Sequence, residues 1–91
     1  MNSFEQGLKY LADNDIDKAI SLFTQAIQED SKNYEAYYNR GKAYRLNGDL
    51  ISSINDYYKV LEIKPDYTEA AVAIDMMRNI ISFRNPDLLN H

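Results

Sequence analysis

The sequence predicts an all-α fold in which two helical hairpins are stacked and followed by one further helix. Residues 1–33 and 34–67 superimpose at a shift of 34 residues. The shift pairs four identical residues: Gly7 with Gly41, Tyr10 with Tyr44, Asp15 with Asp49, and Ile20 with Ile54. A fixed period of this size indicates stacked supersecondary units. Apolar residues also recur at helical spacing, and no segment shows the alternation typical of strands.

Turn and capping residues define the helix boundaries. Asn14-Asp15 ends the first helix, and Asp15 is a good N-cap for a second helix from Ile16 to about Glu29. Asn47-Gly48-Asp49 repeats this signal one period later, because Gly48 can adopt the left-handed conformation that ends a helix. Lys64-Pro65-Asp66 then precedes a fifth helix, which we predict from about Tyr67 to Phe83.

Composition excludes several classes of function. The net charge of −4 disfavours nucleic-acid binding, because phosphate affinity comes from many lysines and arginines. The chain contains no cysteine, which excludes disulfides and thiol chemistry. The first residues are too polar for a signal peptide, and no apolar run approaches the ~18 residues of a membrane span. We therefore expect a cytoplasmic protein that binds neither nucleic acid nor membranes.

No residue pattern indicates catalysis, a metal site or a cofactor. The single histidine, His91, falls in the segment 85–91, which we expect to be a C-terminal tail. Carboxylate pairs such as Asp13 and Asp17 lie at turns and helix ends, where capping and solvation explain them. We therefore predict a protein that is not an enzyme.

The repeat resembles the tetratricopeptide repeat, whose ~34-residue unit is patterned Trp-x2-Leu-Gly-x2-Tyr, then Ala-x3-Phe, then Pro. The second repeat reads Tyr37-x2-Arg40-Gly41-x2-Tyr44, then Ser53-x3-Tyr57, then Pro65. The first repeat reads Ser3-x2-Gln6-Gly7-x2-Tyr10, then Ala19-x3-Phe23, with Ser31 at the proline position. Arg40 and Ser53 depart from the pattern, since leucine and alanine are usual there.

The resemblance implies a right-handed superhelix within a single domain, residues 1–84. Repeat one would span 1–33, repeat two 34–67, and a capping helix 67–84. The repeated glycines, Gly7 and Gly41, would let the partner helix of each hairpin approach closely. Such a fold usually presents a binding surface rather than a reaction centre.

In this family the first helices of successive repeats line a concave groove that holds a peptide or a partner helix. The resemblance assigns three stripes of residues to the groove: Phe4, Leu8 and Leu11; Glu35, Tyr38, Lys42 and Arg45; and Val72, Met76 and Ile80. The set is apolar at both ends and basic in the centre, which suits a segment bearing a carboxylate. We predict a small adaptor that binds another protein or a peptide. The alternative for Phe4 and Leu8 is that they only pack against neighbouring helices.

Some family members bind the C-terminal carboxylate of heat-shock chaperones with a clamp of Lys, Asn, Asn, Lys and Arg. The corresponding positions here are Phe4, Leu8, Asn39, Glu69 and Ala73. Only Asn39 agrees with the clamp, so the resemblance argues against that partner.

The fifth helix supports an alternative function, because apolar side chains surround it almost completely. One face, formed by Ile74, Met77 and Ile81, can cover the core of the second repeat. The opposite face carries Val72, Met76 and Ile80. A helix that is apolar all round is normally buried, and a large exposed apolar patch marks an interaction site. The alternative is therefore a structural subunit that homodimerises through residues 67–84.

Overall fold

The computed structural model describes residues 1–84, which form five helices joined by short turns. The helices are α1 (Ser3–Ala12), α2 (Ile16–Glu29), α3 (Tyr34–Leu46), α4 (Leu50–Ile63) and α5 (Thr68–Arg84). The hairpins α1–α2 and α3–α4 stack on each other, and α5 packs on α4. The predicted all-α fold class is therefore confirmed. The predicted tail, residues 85–91 with His91, lies outside the described residues, and the assignment of 1–84 to one domain remains an interpretation.

The turns inside the two hairpins are built in the same way. The amide of Asp15 donates to the Tyr10 carbonyl, and the amide of Asp49 donates to the Tyr44 carbonyl, both at 2.9 Å. The residue before each of these aspartates is left-handed: Asn14 has φ 62° and Gly48 has φ 85°. The left-handed conformation predicted for Gly48 is therefore confirmed. This arrangement satisfies carbonyls that would otherwise be unpaired at the helix end.

The helix starts agree with the predictions except in two details. Asp15 occupies the N-cap position of α2, but its side chain accepts no capping hydrogen bond. In contrast, the Asp49 side chain accepts one from the Ser52 amide at 3.1 Å. The fifth helix begins one residue later than predicted: Tyr67 flanks the helix, and its carbonyl accepts bonds from the amides of Ala70 and Ala71.

Two glycines allow the helices of each hairpin to approach closely. A Cβ atom placed on Gly7 would lie 2.6 Å from Cε1 of Phe23, and one placed on Gly41 would lie 2.8 Å from Cε1 of Tyr57. Both aromatic side chains are fully buried, so neither ring can swing into solvent. Glycine in mid-helix costs ~1 kcal/mol relative to alanine, and this close packing is the reason for it. The role predicted for the two glycines is confirmed.

Arg40, which stands where leucine is usual, links the two hairpins. Its Nε and Nη2 donate to the two carboxylate oxygens of Asp56 in α4, each at 2.8 Å. Its Nη1 donates to Oγ1 of Thr24 in α2 at 3.1 Å. The hydrogen bond with Asp56 raises the pKa of Arg40 above its ordinary value. Burial raises the pKa of the Asp56 carboxyl, and the hydrogen bonds from Arg40 oppose that rise. The two parallel contacts have the geometry of a bidentate Arg–carboxylate pair.

Ser53, which stands where alanine is usual, is fully buried between α3 and α5. Its hydroxyl donates to the Gly41 carbonyl at 2.7 Å and lies 3.6 Å from the Met77 sulfur. The hydroxyl therefore connects α4 to the position where the hairpin helices come closest. A buried hydroxyl without such a partner would destabilise the fold.

We expect Ser53→Ala to lower the free energy of unfolding by about 0.5–1.5 kcal/mol, because a buried hydrogen bond is lost. The loss is modest because the substitution removes the donor itself and leaves no unpaired hydroxyl. Urea unfolding followed by circular dichroism measures the change. Ser21→Ala, at an exposed position of α2, serves as the control and should cost nothing. Equal stability of the two variants would contradict the role assigned to the hydroxyl.

The core beneath α5 is formed largely by the face predicted to cover the second repeat. Ile74, Met77 and Ile81 are buried against Ile54 and Tyr57 of α4. Ala70 completes the buried side of α5 at its first turn. The opposite side of α5 is left facing outward and forms part of the site described below. Within residues 1–84, no helix has the length and apolar character that crossing a membrane requires.

Candidate functional site

One pocket lies between α3 and α5, with a volume of about 350 Å³. Six of the predicted groove residues line it: Tyr38, Lys42, Arg45, Val72, Met76 and Ile80. Tyr57 and Met77, both buried, form its floor, and Thr68, Glu69 and Ala73 complete the wall on α5. We call this surface the α3–α5 groove. It is apolar at its base and carries charged side chains along its rim.

Tyrosines hold together the end of the groove where α3 and α5 begin. The Tyr67 ring lies 5.3 Å from the Tyr38 ring and 5.4 Å from the Tyr34 ring, with edge-to-face geometry in both pairs. Tyr38 also packs 5.7 Å from the Tyr57 ring on the pocket floor. Edge-to-face pairs of this kind are worth ~0.5–1.5 kcal/mol each. Tyr38 is therefore held in place before any partner binds.

Charged residues surround Tyr38. The Lys42 ammonium lies 5.7 Å from the centre of the Tyr38 ring, within the range of a cation–π contact. Burial raises the pKa of the Tyr38 hydroxyl, the nearby Glu69 raises it further, and Arg45 opposes the rise. The hydroxyl is therefore neutral and able to donate or accept a hydrogen bond at physiological pH.

The outward face of α5 exposes large apolar side chains to solvent. Val72 is 53% exposed and Met76 is 54% exposed, whereas Met77 beside them is 1% exposed. Ile80 is partly buried and packs against the core cluster of α4 and α5. Val72 and Met76 therefore present an apolar wall to the groove that no other described residue covers.

The structure does not bring the remaining predicted groove residues into this pocket. Phe4 is partly buried against Phe23, with the ring centres 6.0 Å apart, which matches the alternative in which it packs on a neighbouring helix. Leu8 is exposed and Leu11 is partly buried, both on α1. Glu35 is exposed in the first turn of α3, one turn before Tyr38.

Sequence reasoning did not assign Glu69 or Thr68 to the partner-binding groove, although both line it. Their position one turn before Val72 on the same helix face was a signal that could have found them. The sequence assigns Met77 to the face that covers the core, and in the structure Met77 and Tyr57 contribute to both the core and the pocket floor. Among the described residues, no group of three or more His, Cys, Asp or Glu side chains could hold a metal ion.

Known proteins resemble part of this chain. The DnaJ homolog subfamily C member 3 of Gallus gallus is 44% identical over 64 residues, which is 70% of this chain and 13% of that protein. The Homo sapiens protein of the same name is 36% identical over 66 residues, or 72% of this chain and 13% of that protein. The heat shock protein sti1 homolog of Schizosaccharomyces pombe is 38% identical over 55 residues, or 60% of this chain and 9% of that protein.

This chain therefore spans about an eighth or less of the length of these relatives. The family model described as Tetratricopeptide repeat matches residues 4–71, which include both hairpins and the start of α5. The paired glycines, the repeated turns and this match agree on one conclusion: the chain belongs to the tetratricopeptide repeat family.

Proposed function

We propose that this protein-interaction module acts as a small adaptor that binds a segment of another protein in the α3–α5 groove. The observation that carries the proposal is the exposure of Val72 and Met76 beside an apolar pocket of about 350 Å³. Removing apolar surface from water is worth ~25 cal/mol per Å², so a partner that covers this wall gains affinity. The volume suits one or two apolar side chains of a peptide.

The second candidate function is homodimerisation through the outward face of α5. The same observation favours it, because a second copy could cover Val72 and Met76 as well as a different protein could. Repeat proteins usually need about three repeats for stability, so a unit of two hairpins and one helix would gain from association. Both candidates use the same residues of α5. Their tests must therefore distinguish binding of a second copy of this chain from binding of a different protein.

The groove proposal is tested by selecting binders from a displayed library of random peptides of about 12 residues, enough to span the groove at ~3.3 Å per residue. We expect selected peptides to bind the wild-type chain and to lose at least about tenfold in affinity for Met76→Glu, because a charge then occupies the apolar wall. Fluorescence anisotropy with labelled peptides measures the affinities.

Ile51→Glu is the matched control for this substitution. Ile51 lies on α4 outside the groove and is 48% exposed, close to the 54% of Met76, so both variants place a new carboxylate on an exposed apolar position. The control should bind the selected peptides as the wild type does. Equal loss in both variants, or no loss in either, would contradict the assignment of the groove.

Light scattering from about 10 µM to 1 mM tests the alternative, since this range covers associations of ~4–7 kcal/mol. The groove proposal predicts a constant mass of 10.6 kDa, whereas dimerisation predicts a rise toward twice that value. A rise that is abolished by Met76→Glu and retained by Ile51→Glu would establish the α5 dimer. A constant mass would remove that candidate.

The names of the relatives suggest a link to chaperones. If this chain bound a chaperone, it would need residues other than those of the family's carboxylate clamp. At the five positions of the family's carboxylate clamp it has Phe4, Leu8, Asn39, Glu69 and Ala73. Glu69 lines the groove and would repel a carboxylate at that point. We therefore propose a partner other than a chaperone C-terminus. A cytoplasmic location, the lack of catalytic activity, and the absence of nucleic-acid and membrane binding stay predictions.

A further inference from the structure

Charge is distributed unevenly along the α3–α5 groove. Glu35, Tyr38, Lys42 and Arg45 follow one another at intervals of three or four residues and so form one stripe on α3. The stripe begins with an acid in the first turn of the helix and ends with a base in the last turn. Glu69 stands in the first turn of α5, on the opposite wall.

The two acids lie at the same end of the α3–α5 pair: Glu69 lines the groove, and Glu35, outside the pocket lining, is one turn before Tyr38 on α3. The starts of α3 and α5 lie side by side, because the Tyr67 ring, just before α5, contacts both Tyr34 and Tyr38. Glu35 is in the first turn of α3, next to Tyr34, and Glu69 is in the first turn of α5, two residues after Tyr67. Burial raises the pKa of the Tyr67 hydroxyl, and the charges of Glu69 and Glu35 raise it further, in agreement with this placement. Lys42 and Arg45 are farther along α3, toward the other end.

The four charges have no ion-pair partner among the side chains of residues 1–83. Among the side chains of residues 1–83, the ion pairs are Arg40–Asp56, Lys59–Glu62 and Lys64–Asp66, and none of them involves Glu35, Lys42, Arg45 or Glu69. Glu35, Arg45 and Glu69 are exposed, and Lys42 is partly buried over the Tyr38 ring. As far as residues 1–83 are concerned, these charges can therefore pair with a charged group on another molecule, Lys42 from its position over the Tyr38 ring.

Helix dipoles offer a competing explanation for part of this arrangement. Acids in a first turn and bases in a last turn stabilise a helix, which would account for Glu35, Glu69 and Arg45 without a partner. Lys42 lies in the middle of α3, where the dipole has little effect. The dipole also does not explain why Lys42, Arg45 and Glu69 all line one pocket.

We infer that the partner is a peptide segment with opposite charges at its two ends and apolar side chains between them. A lysine or arginine of the partner lies near Glu35 and Glu69, an apolar side chain enters the pocket beside Met76, and an aspartate or glutamate lies near Lys42 and Arg45. This inference rests on the proposed function of the groove and defines the chemistry of its ligand.

The length of α3 sets the spacing of the partner's charges. Glu35 and Arg45 are ten residues apart, which is about 15 Å at ~1.5 Å per residue. An extended segment spans this distance in about five residues and a helical one in about ten. The spacing found in binding peptides therefore also distinguishes an extended ligand from a helical one.

The test uses the random-peptide selection described above, repeated on two charge-reversed variants of the full chain. On the wild type, we expect enriched peptides to carry one basic and one acidic residue flanking apolar residues. Peptides selected on Lys42→Glu/Arg45→Glu should carry a basic residue where those selected on the wild type carry the acidic one. Peptides selected on Glu35→Lys/Glu69→Lys should carry an acidic residue where those selected on the wild type carry the basic one. Lys18→Glu/Lys59→Glu, on α2 and α4, changes net charge as the first variant does and should leave the preference unchanged.

Individual affinities give a second readout. Replacing either charge of a selected peptide by glutamine should weaken binding about three- to tenfold, and the effect should shrink in 1 M salt, where the Debye length falls to ~3 Å. A nitroxide label next to the peptide's acidic residue should broaden the amide resonances around Arg45 more than those around Glu69.

The outcomes separate this inference from the groove proposal. One possible result is that the selected peptides lose affinity for Met76→Glu but show no charge pattern, or show the same pattern on all variants. Either result would contradict the inferred charges of the ligand while leaving the assignment of the groove unchanged. Failure of the selection to yield any peptide that distinguishes the wild type from Met76→Glu would overturn both proposals together.

Discussion

Replacing Arg40 with leucine is expected to lower the free energy of unfolding by about 3–5 kcal/mol, although leucine is the residue usual at this position. The substitution leaves the Asp56 carboxylate buried without the two hydrogen bonds that now satisfy it. It also removes the link to Thr24 that joins the two hairpins. Urea unfolding followed by circular dichroism measures the loss.

An exposed ion pair provides the control for Arg40. Lys59→Leu removes the Lys59–Glu62 pair on the surface of α4, where both side chains are largely in solvent, and should cost less than about 1 kcal/mol. The double variant Arg40→Leu/Asp56→Leu should be more stable than Arg40→Leu alone, because no buried charge is left unpaired. If Arg40→Leu cost no more than Lys59→Leu, the pair would not stabilise the fold as we conclude.

Gly7→Ala is the second substitution with a large expected effect, a loss of about 1–3 kcal/mol. Alanine favours helix by ~1 kcal/mol over glycine, so propensity alone predicts the opposite sign. The new methyl group would lie 2.6 Å from Cε1 of Phe23, whose ring is fully buried and cannot move without opening the core. Thermal or urea unfolding measures whether Gly7→Ala lowers or raises the free energy of unfolding.

A double-mutant cycle isolates the contact with Phe23. Phe23→Leu removes ring atoms near the glycine and should destabilise the protein when made alone. In the Phe23→Leu background, Gly7→Ala should cost less than it does in the wild type, because the space that it needs has been opened. Asn55→Ala, at an exposed site of α4, controls for helix propensity and should be neutral or slightly stabilising. Stabilisation by Gly7→Ala would show that the hairpin has room for a side chain.

Local features of this protein were predictable because each depends on residues close together in the sequence. The period of 34 residues, the left-handed Gly48 and the buried face of α5 all follow from spacing and turn chemistry. Ser53 and Arg40 could be identified only as departures from a pattern. Their partners, Gly41 and Asp56, lie on a neighbouring helix, and the sequence did not indicate them.

The candidate groove also combines features that the sequence predicts with features that only the structure shows. Spacing placed Tyr38, Lys42 and Arg45 on one stripe of α3, and Val72, Met76 and Ile80 on one stripe of α5. Spacing could not show that these two stripes enclose a pocket while Phe4 and Leu8 stay outside it. The sequence identifies Glu69 only as a clamp position, whereas the structure places it in the lining of the groove, beside the contact of Tyr67 with Tyr38.

The sequence by itself determined that this protein is a repeat of helical hairpins with an apolar final helix, because periodicity and capping act within a few residues. Tertiary structure alone decided which charges are paired and which are left free, and which apolar residues face a pocket rather than the core. Those outcomes depend on how helices cross and how closely they approach. Contacts between residues distant in the chain set that geometry, and no local pattern contains it.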